Sequence, residues 1–82
     1  MTTEEIKEGI NILETVIPKG IVIVNENNTI KMAGRVISFP TSWKIKYILR
    51  NVVLQELRRN RLINENQTDE CKRLIKEKYE ES

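Results

Sequence analysis

Histidine is absent from this 82-residue chain, and cysteine occurs once. Without imidazole there is no His-led catalytic triad and no ordinary Cys/His zinc site. No serine or cysteine has a histidine to activate it. Cys71 alone cannot close an internal disulfide, and a single thiol suits a reducing cytoplasm. Glycine and proline are sparse, at three and two residues. Gly20 and Gly34 stand isolated, so no phosphate-cradling loop is present. The acidic residues lack the spacing of an EF-hand, so no metal and no cofactor is expected. No apolar run approaches the ~20 residues that span a membrane. The N-terminus, MTTEEIKEG, is acidic rather than basic and is no secretory signal. The triplets Asn27-Asn28-Thr29 and Asn66-Gln67-Thr68 therefore read as chance glycosylation patterns. Met1 carries the expectation of a complete small reading frame. These absences favour a cytoplasmic, non-enzymatic binding or regulatory protein.

What the chain does hold is charge, unevenly spread. Residues 1–30 carry two Lys and five Glu, net −3. Residues 31–43 add Lys31 and Arg35, net +2. Residues 44–61 set Lys44, Lys46, Arg50, Arg58, Arg59 and Arg61 against Glu56, net +5. Residues 62–82 hold four basic and six acidic side chains, net −2. A basic middle thus lies between acidic ends. Either a solvated helix face or a binding surface explains it. Ile, Lys, Asn and Glu make up nearly half of the chain, a usage that resembles proteins of AT-rich bacterial or phage genomes.

The length suits one small domain, residues 1–82, that buries only a little over ~60% of its unfolded surface. Marginal cores of this kind gain from a partner subunit. Thr2 and Glu5 form a capping box, and Ile6, Ile10, Leu13 and Ile17 recur as one helical stripe. Gly9 weakens that helix by up to ~1 kcal/mol. Pro18 and Gly20 end it around Val16. Ile21-Val22-Ile23-Val24 is a β-branched strand, Asn25-Glu26-Asn27-Asn28 a turn, and Thr29-Ile30-Lys31-Met32 the returning strand. Gly34 marks either a bulge in a long second strand or a turn into a third, Val36 to Phe39. Thr41 or Ser42 caps a helix over Trp43 to Asn60. On an ideal wheel Ile45, Ile48, Leu49, Val52 and Val53 share one face, while Trp43, Tyr47 and Leu54 form a second stripe. Asn64 and Gln67 form a capping box for a closing helix with Cys71, Leu74, Ile75 and Tyr79 as apolar positions. The last residues, Glu80-Glu81-Ser82, are expected to fray. The expected fold is α+β: an N-terminal helix, a β-hairpin of two or three short strands, then a long helix and a closing helix forming an αα-hairpin. Its core combines Ile6, Ile10, Leu13, Ile23 and Ile30 with the apolar face of the long helix.

Leu54 and Leu57 stand in one helix, Leu62-Ile63-Asn64-Glu65 form a turn and cap, and Lys72, Leu74 and Ile75 stand in a closing helix. With these residues the segment 52–79 resembles the SHOCT family of short C-terminal modules. Two positions depart from the pattern. Arg61 replaces the turn Gly, so Asn60 would carry any left-handed residue, and Thr68 replaces the usual aromatic. Segments similar to this one, ending in Glu-Lys-Tyr as at Glu77-Lys78-Tyr79, occur in small proteins of Gram-positive mobile elements. The resemblance implies an oligomerisation or protein-interaction element with no catalytic residue.

Two surfaces are candidates. Leu54, Leu57, Leu62 and Tyr79 would contact a protein partner or a second copy, as in a regulatory or adaptor homodimer encoded by a phage or mobile element. Alternatively, Trp43, Lys44, Lys46, Tyr47, Arg50, Arg58, Arg59 and Arg61 would contact DNA, as in an excision or transcription cofactor. Aromatics stack on bases while Arg and Lys meet phosphates. The competing explanations are structural. Trp43 and Tyr47 pack on the hairpin with basic stems passing over them, and Arg58, Arg59 and Arg61 answer the helix dipole. Cys71 packs as a small hydrophobe. Glu4, Glu5, Glu8, Glu77, Glu80 and Glu81 lie near the chain ends, too exposed for acid/base work.

Overall fold

Helix α1 spans Thr3–Leu13 in the computed structural model, which describes residues 2–79. The expected capping box forms: the Glu5 N–H donates to Thr2 Oγ1, and the Thr2 N–H donates to Glu5 Oε1. The helix ends earlier than the expected Val16. The N–H groups of Val16 and Ile17 both fold back onto the Leu13 carbonyl. That tight turn still returns Ile17 to the core.

Strands β1 (Val22–Asn25), β2 (Thr29–Met32) and β3 (Arg35–Ser38) form an antiparallel sheet in the order β1-β2-β3. Asn27 and Asn28 turn the chain at φ 61° and 56°, a region asparagine tolerates. Thr3 anchors this turn to α1: its Oγ1 accepts from the Asn28 N–H at 2.8 Å and donates to Asn28 Oδ1 at 2.9 Å. Ala33 and Gly34 lie at φ 53° and 76° between the paired residues Met32 and Arg35. Two positive φ values make a two-residue hairpin turn of the primed kind. Gly34 is therefore a turn residue, and a third strand exists, starting at Arg35. Pairing also decides which side chains face inward. Val22 opposes Met32 and Val24 opposes Ile30, and Val22, Ile30 and Met32 are buried. Ile23, expected in the core, points the other way opposite Lys31 and is 49% exposed. In a period-two strand, one residue's shift exchanges the faces.

Helix α2 is continuous through Ile45–Ile48, a π-helical turn at Leu49–Val53, and Leu54–Arg59. It does not start at Trp43, nor does Thr41 or Ser42 cap it. Lys44 is the N-cap residue, with no side-chain cap bond. A turn closed by the Trp43 N–H and the Pro40 carbonyl, 3.2 Å apart, precedes it. The π turn corrects the ideal wheel. One extra residue in a turn rotates everything beyond it by about 100°. The row Ile45, Leu49, Val53 and Leu57 thus stays buried along the whole helix. Leu54 leaves the Trp43/Tyr47 stripe and enters the core.

The C-terminus of α2 closes with Leu62 N–H to the Leu57 carbonyl and Arg61 N–H to the Arg58 carbonyl, at 2.9 and 3.0 Å. This is a Schellman arrangement. Its left-handed residue is Arg61, at φ 58°, and not Asn60, at φ −91°. Asn64 and Gln67 then form the expected reciprocal box, at 2.8 and 2.9 Å, ahead of α3 (Glu65–Tyr79). Cys71, Ile75 and Thr68 face inward. The fraying expected of Glu80-Glu81-Ser82 lies outside the described residues.

The three helices and the inner sheet face share one core. Ile6, Ile10 and Leu13 enter it from α1, as expected, while Val52 of α2 is only half-buried. Gly9 sits where α1 meets α2. A Cβ there would lie 2.8 Å from Leu49 Cδ1, so the bare backbone lets the two helices close. The radius of gyration, 11.6 Å, equals the ~12 Å of a compact domain this long. Among the described residues no helix is long and apolar enough to cross a membrane.

Candidate nucleic-acid interface

The exposed side of α2 carries an i, i+4 row of Tyr47, Asn51, Gln55 and Arg59, led by Trp43 from the preceding turn. An uninterrupted α-helix drifts off an i+4 row by about 40° per step. The π turn removes much of that drift, so aromatic, amide and cationic groups keep to one side of the molecule.

At the start of this row, Trp43 and Tyr47 are 39% and 47% exposed. Their rings meet edge to face, with centroids 5.4 Å apart and planes at 78°. Buried Phe39 supports Trp43 from below, 6.1 Å away and tilted by 46°. Trp43, Lys44 and Tyr47 line a concavity of about 360 Å³. Beyond it, a groove of about 610 Å³ runs between α2 and α3, lined by Arg50, Asn51, Gln55, Arg58, Arg59, Thr68 and Lys72 among others. Arg58 also borders the next depression, shared with Arg61 and Leu62.

Most of these cations stay uncompensated. Among the described residues Lys44, Arg58, Arg61 and Lys72 make no ion pair. Arg58 Nη1 donates to Thr68 Oγ1 at 3.4 Å, which turns it toward α3 and Lys72. Lys46 is half-buried beside Trp43, Lys44 and Glu5. Arg59 differs: it is paired with Glu56. Glu56 also accepts from Arg35 Nη1 at 3.2 Å and Asn60 Nδ2 at 3.1 Å. Burial alone would raise the Glu56 pKa. The hydrogen bonds from Asn60 and Arg59, with the charges of Arg59 and Arg35, outweigh it and leave the carboxyl below its usual 4.5. Glu56, the one acid within α2, is thus already occupied.

The proposed protein-contact residues do not assemble. Leu54 and Leu57 are 1% and 0% exposed, inside the core. The π turn moves Leu54, and Leu57 continues the buried i+4 row. Leu62 is exposed, and Tyr79 is half-buried against α1. Lys72, Asn51 and Gln55 also line the groove, although none of them is marked as a site residue by the sequence. Lys72 belongs to the acidic tail by sequence. Its signal was its place one helical turn beyond Thr68, the side chain that meets Arg58.

Cys71 is fully buried. Burial, helped by the Glu70 charge, pushes its pKa up to about 11, so the reactive thiolate is suppressed at neutral pH. Tyr79 Oη is buried and has no hydrogen-bond partner among the described residues. Among the described residues no three His, Cys, Asp or Glu side chains group closely enough to hold a metal ion.

No protein-family model matches this chain, and no curated protein or solved structure matches it either.

Proposed function

We propose that this is a non-enzymatic DNA-binding accessory protein that presents the outer side of α2 to the nucleic acid. The observation that carries the reading is the alignment of exposed Trp43 and Tyr47 with Lys44, Arg50, Arg58 and Lys72 along one side of the molecule. Phosphate contacts supply affinity, and aromatic and amide groups meet bases. Asn51 and Gln55 are the residue types that pair with adenine edges. A role as excision or transcription cofactor of a mobile element fits this chemistry, with the SHOCT-like tail, residues 52–79, stiffening the groove. Electrophoretic mobility shift at two salt concentrations tests it. Binding must weaken steeply as salt rises, and Arg58→Ala or Lys72→Ala must flatten that dependence. The absence of any shift at low salt and high protein concentration would remove the reading.

A protein-contact reading keeps one supporting observation. Ile23 and Val36, 49% and 65% exposed, flank Lys31 in a cross-strand row on the outer sheet face. With Leu54 and Leu57 inside, self-association would use this face and Leu62 instead. Light scattering after gel filtration distinguishes the two readings. A dimer that Val36→Glu dissociates supports this one, and a monomer at high concentration excludes a homodimer.

A further inference from the structure

We infer that the corner between Trp43 and Tyr47 seats one unpaired base, so the α2 side binds single-stranded DNA in preference to duplex. The inference rests on the DNA-binding reading above and adds which form of DNA is taken.

The geometry of the corner carries it. Two exposed rings at 78° and 5.4 Å form two sides of an open recess of about 360 Å³, with Lys44 as its third wall. A flat heterocycle laid on one ring meets the other ring with its edge. Both contacts are favourable aromatic geometries. In a duplex the two faces of each base are covered by its neighbours, so entry requires unstacking at a cost of a few kcal/mol. An unpaired base enters without that cost.

The recess is built rather than incidental. Phe39 holds the tryptophan from beneath, and the Pro40–Trp43 turn fixes it just ahead of the helix. Trp43 and Tyr47 are half of the aromatic residues in the chain, yet neither is buried in the core. Lys44 also selects among flat ligands. Its ammonium repels the cationic guests that aromatic cages otherwise favour, and it attracts the phosphate attached to a seated base. Arg50, Arg58 and Lys72 continue the positive track along the groove, where the rest of the strand would run.

Trp43 is the only tryptophan, so its emission reports the corner directly. The test titrates the protein with a mixed-sequence 12-mer of single-stranded DNA and with the same sequence as duplex. The expected result is quenching of Trp43 by the single strand, with at least tenfold tighter binding than the duplex. Tyr47→Ala should weaken single-strand binding roughly tenfold, a larger loss than it causes with the duplex. Tyr47 is exposed, so this variant keeps its fold, which circular dichroism checks. Equal affinity for both forms, or single-strand binding with no change in Trp43 emission, overturns the inference while DNA binding itself stands. If neither form binds, the underlying reading fails as well. Quenching by a polyproline peptide but by no oligonucleotide reassigns the corner to a peptide and overturns both.

Discussion

Arg61 illustrates how much one residue's backbone conformation reveals. A left-handed φ costs an ordinary side chain roughly 1–2 kcal/mol, and Schellman ends normally place glycine there. Arg61→Gly should therefore stabilise the fold by about 1 kcal/mol in urea unfolding. In a binding assay it should lower affinity for DNA, since a cation of the depression adjoining the groove is lost. Opposite signs in the two assays separate a structural from a binding role. Cys71 makes a simpler case. With its thiol buried and its pKa pushed up to about 11, alkylation at pH 8 should be far slower in the native protein than in urea. Native labelling as fast as that of the unfolded chain would contradict its burial. Both capping boxes were legible from Thr2, Glu5, Asn64 and Gln67, because a cap depends on residues three apart in sequence. The strain at Arg61 was not, because a pattern that expects glycine does not say which neighbour takes its place.

The elements show the same division between local and distant causes. All three helices, the Asn turn and the first two strands follow from nearby residues. The turn at Ala33-Gly34 became certain only through the pairing of Met32 with Arg35. The strand Ile21-Val22-Ile23-Val24 is apolar on both sides, so its own pattern contains no choice of face, and β2 made the choice. In α2 the π turn decided the outcome for Leu54. Nothing in a single helical wheel reveals an extra residue per turn. Gly9 is the counterpart in α1. Gly9→Ala improves helix propensity by up to ~1 kcal/mol, but its Cβ would press on buried Leu49 at 2.8 Å. Overpacking costs ~1–3 kcal/mol. The expected net effect is a loss of about 1 kcal/mol in thermal or urea unfolding, and a stabilised variant would show that the helices can move apart freely.

At the scale of the whole molecule, Glu56 joins the sheet edge to the end of α2 through Arg35, Arg59 and Asn60. Its folded pKa lies below the ordinary 4.5. A carboxyl with a depressed folded pKa contributes stability above its unfolded pKa, and that contribution disappears as pH falls through the folded value. Stability should therefore decline on acidification below about pH 4.5. Glu56→Gln should be less stable at pH 7 and depend less on pH in the acid range. A variant with the wild-type acid profile would show that the cluster contributes nothing. The same cluster shapes the candidate site. It occupies Arg59 and engages Glu56, an acid that lines the groove, while Arg58 and Lys72 stay available.

By itself the sequence determined the α+β class, the order and approximate limits of the helices, and the concentration of positive charge between residues 44 and 61. Each of these is encoded by residues within a few positions of one another, where period, caps and composition act. Tertiary structure alone decided that Ile23 faces solvent, that Leu54 and Leu57 are core residues, and that Lys72 joins Arg58 across a groove. Those outcomes depend on strand pairing, on the π turn and on the packing of α3 against α2. They are set by contacts between segments far apart in the chain, where the free energy of burial outweighs local preference.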